Sequence, residues 1–246
     1  MNEILKRQLA LDYCCSLKDV ESSENIFTVY EPRDGRRWFE ETERTFLKIA
    51  SVRGKLLVAA DESILPWCKE EIGSCDGAWY FEPPQLAKLN AKLNTYGYEI
   101  AKIHPFYIAE ATAQVDIGNF VITEYDRAAI KQFRGDTRFQ MAFSFDEKAP
   151  DVIGISAKSS QNGEILGMAG ASADSPLMWQ IGINVEAGTR GQGVGAMLTA
   201  LLKNRVLEAG RLPFYGTAFS HIVSQNVAIK AGFHPAWCEL TTRKIK

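Results

Sequence analysis

The chain is short of the residues that mark extracellular, metal-bound or nucleic-acid chemistry. Its 246 residues hold three histidines and five cysteines, and Cys14, Cys15, Cys68, Cys75 and Cys238 show neither CxxC nor finger spacing. An odd, unpatterned set of thiols argues against a disulfide framework and for a reducing compartment. A cytoplasmic protein without a metal site is therefore expected. No apolar run reaches membrane-spanning length, and Glu3, Lys6, Arg7 and Asp12 interrupt the first apolar residues, which predicts neither a membrane segment nor a secretory leader. A basic stripe is missing as well. Residues 1–118 carry 14 basic and 19 acidic side chains and residues 119–246 carry 14 and 11, for a net charge of −2. That balance speaks against nucleic acid as a partner and suits, at most, a small anion bound in the second half. There is no linker rich in Pro, Gly or Ser. With 46% hydrophobic and 24% charged residues, the composition is that of a globular protein long enough for one large domain or two small ones.

One stretch stands out against this plain background. Ile181, Ile183 and Val185 alternate with small or polar residues, the period of a strand with one buried face. Gly188, Gly191, Gly193 and Gly195 follow, and then Val194, Met197, Leu198, Leu201, Leu202 and Val206 recur at helical spacing until Gly210. Strand, glycine loop and helix start together aim unpaired N–H groups and the positive end of a helix dipole at one point, which is the grammar of a phosphate site.

Three kinds of site share that grammar. A P-loop needs a lysine and a hydroxyl residue directly after its glycines, and none follows here. Gly191, Gly193 and Ala196 satisfy G-x-G-x-x-A, but the motif begins too close to the C-terminus for a doubly wound domain to follow it. The third pattern, R-x-x-G-x-G, is met by Arg190, Gly193 and Gly195, with Val185 five residues before the arginine. It resembles the pyrophosphate loop of the GNAT family of acetyl-CoA-dependent N-acyltransferases. The segments 179–183, 213–217 and 224–233 resemble a bacterial GNAT subgroup in which a further N-terminal region precedes the acetyltransferase domain.

The resemblance implies an α/β (α+β) chain. Residues 116–246 would form a GNAT fold with a mixed central sheet, and residues 1–115 a smaller α/β domain, a degenerate copy of that fold without R-x-x-G-x-G. It also implies acetyl-CoA as co-substrate, held by Ile183, Asn184 and Val185 along the pantetheine arm, by Arg190, Gly191, Gln192, Gly193, Val194, Gly195 and Ala196 at the diphosphate, and by Ser224 and Asn226 beyond. The acceptor would be an amine, on a small molecule rather than a protein; its identity and the oligomeric state are not legible. The family's usual acid is a tyrosine four residues before the late Gly-Phe, and this chain has Ala228 there. Tyr215, His221 and Ser224 are the replacements. That departure keeps a non-catalytic acyl-CoA-binding sensor as the alternative to an N-acetyltransferase acting by direct attack in a ternary complex.

In the first half, periodicity predicts a first helix from Ile4 that turns polar at Ser16 and ends at Asn25, a strand at 26–30, a hairpin at 46–60, a helix capped by Asp61 or Ser63, a strand at 78–81, a helix opened by Pro83 and Pro84, and a strand at 99–108. Trp38, Trp67, Trp79, Tyr80 and Phe81 are expected as core or interface aromatics. His104 and His234 are expected to be structural, and residues 40–44 a solvated helix face. In the second half, a strand at 120–123, helical segments at 126–133 and 136–143, a hairpin at 152–171 and a strand at 179–185 precede the glycine loop. A strand at 213–217, a helix at 224–231 and a strand at 233–240 complete the chain. Trp179 and Gln180 either line an acceptor pocket or pack between layers.

Overall fold

The computed structural model describes residues 1–38 and 45–246. Contacts divide the chain into two compact units, one made of residues 1–106 with 236–246, the other of residues 107–235. Residues 109–119, which span the division expected at 115/116, contain neither helix nor strand. A linear division at residue 115 gives the last strand to the second half, whereas its contacts give it to the first.

In the first unit, α1 (Glu3–Asp12) is capped by Asn2, whose Oδ1 accepts from the N–H groups of Ile4 and Leu5. The single helix expected to run to Asn25 breaks after Asp12, where Cys14 has positive φ, and a capping box between Ser16 and Asp19 starts the short α2 (Leu17–Glu21). Strands β1 (Ile26–Val29), β2 (Leu47–Val52) and β3 (Lys55–Ala60) follow, and β2 and β3 form the expected hairpin. Its two turn residues, Arg53 and Gly54, both have positive φ, as a two-residue turn matching the strand twist requires. Helix α3 (Leu65–Ile72) has no side-chain cap: its N-cap is Ile64, and Asp61 Oδ1 accepts from the N–H and hydroxyl of Ser63.

Residues 78–81 are a turn rather than a strand: Asp76 takes the Ala78 N–H on its side chain and the Trp79 N–H on its carbonyl. Tyr80 is buried, but Trp79 is exposed and not a core aromatic. Helix α4 (Pro83–Asn94) buries Leu89 and Leu93, and β4 (Tyr98–Ile108) closes this part. The expected helix face at 40–44 lies outside the described residues.

The second unit begins with β5 (Val121–Asp126) and the single turn α5 (Arg127–Ile130), which tightens into a 3-10 turn at Lys131–Phe133. The helical stretch expected at 136–143 shrinks to a 3-10 turn, Thr137–Phe139. Strands β6 (Asp151–Lys158), β7 (Ile165–Ser172) and β8 (Met178–Val185) form an antiparallel meander. Then come α6 (Val194–Glu208), β9 (Leu212–Gly216) and α7 (Ile222–Lys230). The sheet order is β9-β8-β7-β6-β5, with β8 and β9 parallel. Helix α6 packs on one face through Val194, Leu198, Leu202 and Val206, against Ile155, Ala169 and Ile181. Burying each of these four side chains is worth about 1.5–3 kcal/mol. The other face is covered by Ile130, Phe133, Phe139, Ala142 and Phe143 over Met168.

The last strand, β10 (His234–Lys244), pairs antiparallel with β2 and completes the first unit's sheet in the order β1-β3-β2-β10-β4. It brings Glu239 into a buried charge network. The Arg37 guanidinium donates to Asp12 Oδ2 at 2.5 Å and to Glu239 Oε2 at 2.8 Å, while Tyr13 donates to the same Oε2 at 2.8 Å. The guanidinium also lies over the Trp237 ring, 4.8 Å from its centroid, and that ring stacks on Phe106. The network joins the first helix to the last strand.

Candidate functional site

The glycine loop has the local geometry its sequence predicts. After Val185 the chain makes a 3-10 turn, Ala187–Thr189, and Gly191 and Gly193 both sit at φ +84°, a left-handed conformation that costs an ordinary residue about 1–2 kcal/mol. Gly193 is the N-cap of α6 and offers no side-chain cap. Among the described residues nothing accepts from the N–H groups of Gly193, Val194, Gly195 and Ala196; the first return bond runs from the Met197 N–H to the Gly193 carbonyl. A side chain at Gly188, Gly191 or Gly193 would meet nothing within 4 Å, so these glycines leave open space in front of the helix. Gly195 is different. A Cβ there would lie 3.3 Å from Val185 and 3.4 Å from Val227, so its absence lets the strand end, the start of α6 and α7 pack together. Arg190 stays exposed, its Nε 3.4 Å from the Val185 carbonyl, and Gln192 Nε2 lies 3.4 Å from the Gly188 carbonyl.

Before this loop, β8 loses one neighbour. Among the described residues it pairs with β9 only at Met178, Trp179 and Gln180, opposite Leu212, Pro213 and Phe214, while its pairing with β7 continues to Val185. From Ile181 to Val185 one edge of β8 is therefore free. The direction of its backbone groups follows from the bonds at either end. The Leu177 carbonyl accepts from the Leu212 N–H on the β9 side, and the Glu186 N–H donates to the Leu166 carbonyl on the β7 side. Backbone groups alternate along a strand, so Ile181, Ile183 and Val185 present N–H and C=O to the free edge, and Gly182 and Asn184 turn theirs to β7. Asn184 thus departs from its expected place among the arm-binding backbone groups.

The three acid candidates stand at the start of α7 and on the strand beside it. Tyr215 is buried in the α6-side core, and its hydroxyl lies 2.9 Å from Ser224 Oγ. Burial pushes the phenol up from its ordinary value, while the hydrogen bond with Ser224 works the other way, so Tyr215 holds its proton through the neutral range. His221 is exposed, with Nδ1 3.4 Å from Thr217 Oγ1. Ser224 is brought to Tyr215; Asn226 is exposed on α7. Ala228 is fully buried among Ile181, Leu198 and Phe233, so this position contributes packing and no proton donor. Gln225, which sequence reasoning passed over, ties down the β9–α7 loop: its Nε2 donates to the Ala218 and Phe219 carbonyls, and its Oε1 accepts from the Tyr107 hydroxyl. Trp179 packs against the α6-side core. His234 is exposed, 3.6 Å from Glu110.

The opposite face of β8 holds an arrangement with no trace in local periodicity. Gly154, Gly170 and Gly182 are direct cross-strand neighbours on β6, β7 and β8. A Cβ would lie 2.7 Å from the Phe143 ring at Gly154, 2.0 Å from the Ala142 carbonyl oxygen at Gly170 and 1.8 Å from the Met141 carbonyl oxygen at Gly182. Segment 141–143 lies flush on this row. Asn184 completes the arrangement, its Oδ1 accepting from the N–H groups of both Met141 and Ala142 at 2.9 Å. Beyond Phe139 the N–H groups of Ala142 and Phe143 both return to the Phe139 carbonyl while those of Met141 and Ala142 turn to Asn184, so the stretch to residue 143 is a turn and not the expected helix.

Among the described residues no group of His, Cys, Asp and Glu is arranged to hold a metal, and no helix is long and apolar enough to cross a membrane.

No family model matches the chain, and no curated protein matches it. Solved structures do. A GCN5-related N-acetyltransferase-like protein from Streptococcus suis is 14% identical, with 97% of each chain covered and a TM-score of 0.49. A GCN5-related N-acetyltransferase from Kribbella flavida is 16% identical over 66% of this chain and 65% of its own, with a TM-score of 0.46. A tandem GNAT protein from the clavulanic acid biosynthesis pathway is 15% identical over 67% and 60%, also at 0.46. Many of the solved structures similar to this chain are GNAT-family N-acetyltransferases.

Proposed function

We propose that this protein is an N-acetyltransferase that passes the acetyl group of acetyl-CoA to the primary amine of a small acceptor by direct attack in a ternary complex. The observation that carries the reading is the free edge of β8 from Ile181 to Val185 leading into an uncapped helix start at Gly193. At about 3.3 Å per residue these five residues span about 16 Å. The arm between the diphosphate and sulfur of coenzyme A has 13 bonds, and at the spacing of a trans peptide, 3.8 Å for three bonds, it also extends about 16 Å. A diphosphate on the N–H groups of 193–196 would put the sulfur close to Ile181, where β8 and β9 part.

Each chemical requirement then has a group of this chain. Ile183 and Val185 offer peptide groups to the arm. An N–H on the free edge of β8 would polarise the thioester carbonyl and stabilise the oxyanion, a contribution of the order of 10²–10³ in rate for one donor. Tyr215, kept protonated by burial and touching Ser224, would supply the departing thiolate with its proton, with Ser224 as relay. His221, exposed at the N-cap of α7, would take the proton of the incoming ammonium, and the second proton, shed by the nitrogen as the amide forms, would return through Ser224 to restore the Tyr215 phenol. The sites for amine and thioester need no metal in this scheme, and a cytoplasmic setting supplies the donor.

Calorimetric titration with acetyl-CoA, followed by thiol release with a panel of primary amines, tests the proposal. Binding with turnover of at least one amine is expected. No binding at millimolar acetyl-CoA removes the enzyme reading. The buried Ala228 favours one second reading, an acyl-CoA sensor, which predicts binding without thiol release on any acceptor.

A further inference from the structure

We infer that Asn184 is a positioning residue that couples the donor strand to the segment Phe139–Phe143; this rests on the acetyl-CoA reading of β8. Along β8 the backbone groups of Ile181, Ile183 and Val185 face the free edge, and their side chains pack toward α6. That face is filled, so a second substrate reaches the free edge from the other face. There the chain has laid segment 141–143 on the glycine row, with no space between backbone and sheet.

The glycines set how near the segment comes. They do not set its position along the strand, because a row of hydrogen atoms offers nothing to grip. Asn184 supplies the grip. Its single carbonyl oxygen takes two consecutive N–H groups, Met141 and Ala142, each at 2.9 Å, and fixes the segment in register with the residue lying between Ile183 and Val185. The Met141 side chain, 72% exposed, is thereby held beside the stretch of β8 where the reacting carbonyl would lie. Attack needs the amine within about 3–3.5 Å of that carbonyl in one orientation, and a misplacement of about 1 Å costs about 10²-fold in rate. A wall tied to the donor strand by its own side chain moves with that strand. Occupation of the free edge is then transmitted through Asn184 to the two amides it holds.

Hydrogen exchange at the Met141 and Ala142 amides of the full chain, with and without saturating acetyl-CoA, tests this beside a calorimetric Kd for acetyl-CoA. In the native chain acetyl-CoA is expected to slow both amides. In Asn184→Ala the Met141 amide, which loses its acceptor, should exchange about tenfold faster or more, and the Ala142 amide by less because it also donates to the Phe139 carbonyl at 3.1 Å; acetyl-CoA should no longer slow either while its Kd changes less than twofold. Asn184→Asp, which keeps an oxygen at the same place, should restore the slowing. If the alanine variant does not fold, Asn184→Ser, too short to reach both N–H groups, carries the comparison. Acetyl-CoA that binds without slowing the amides in the native chain, or slows them equally in the alanine or serine variant, overturns the role of Asn184 alone. Failure of the native chain to bind acetyl-CoA overturns the acetyltransferase reading instead.

Discussion

Replacing Arg37 by Met is the sharpest test of how the first unit is held together. The guanidinium is buried, and so are the two carboxylates it serves, Asp12 and Glu239. Methionine fills much of the same volume and keeps contact with the Trp237 and Phe106 rings. What it removes is the positive charge and the guanidinium's bonds to both acids; Tyr13 still donates to Glu239, and Gln8 and the main-chain N–H of residue 37 to Asp12. Lys48, buried over the Tyr13 ring, is then the remaining cation at two buried anions. Breaking a buried ion pair from one side costs about 3–5 kcal/mol, because the partner is left charged in a medium that cannot solvate it. Against a total stability of about 5–15 kcal/mol, that is a large share.

The pH dependence follows with a definite sign. Burial alone raises the Asp12 pKa, but Arg37 and Lys48 outweigh it and hold it below the ordinary carboxylate value. In the native chain this group therefore stabilises the fold above its unfolded pKa, and the contribution is lost as the pH falls through the depressed folded value. Without Arg37 the balance reverses and burial dominates, so the carboxyl pKa rises above the unfolded value. The variant's deficit should then be largest at neutral pH and shrink as the pH falls toward 4 and the buried acids take up protons. Urea unfolding followed by tryptophan fluorescence from pH 4 to 8 measures both. A loss under 1 kcal/mol at pH 7, or one that does not change with pH, would refute the reasoning.

Further outcomes follow from the second unit. Gly193→Asp meets no steric obstacle but puts a strained residue and a carboxylate at the helix start; acetyl-CoA affinity should fall at least about 100-fold by calorimetry, with a melting temperature shift of a few degrees. Affinity that survives would remove the diphosphate from this loop. Gly188→Ala, in open space and without a left-handed φ, should leave both quantities unchanged and serves as the control. Tyr215→Phe should slow thiol release by about 10²-fold or more at constant acetyl-CoA Kd, and an unchanged rate would exclude the phenol as acid. Gly182→Ala forces a methyl group into the Met141 carbonyl; denaturant unfolding should show a loss of about 1–3 kcal/mol, and a change within 0.5 kcal/mol, the usual range for surface substitutions, would mean the segment does not lie there.

What was readable from the chain alone is what short-range physics decides. The β2–β3 hairpin, the proline start of α4, the meander and the glycine loop each depend on a few consecutive residues whose φ preference or apolar period has one solution. The site's backbone half was legible for that reason. Its side-chain half was not. Whether Asn184 turns its peptide groups to β7 or to the free edge depends on which alternate residues of β8 bond each neighbour, fixed by Leu166 and Leu212, each distant in sequence. The glycine row exists only once register sets Gly154, Gly170 and Gly182 side by side, and Ala228 is a core residue only because α7 lies on α6. The turn at 78–81 shows the same limit from the other side: an apolar aromatic run satisfies a strand pattern, yet the Asp76 carboxylate and carbonyl take the N–H groups a neighbouring strand would have needed. Composition and local spacing determined that this chain folds into sheets with helices on them and has a glycine-rich helix start. Only the tertiary structure decided that the last strand belongs with the first helix and that one edge of β8 stays unpaired, because both are settled by pairing between segments whose own sequences would accept several partners.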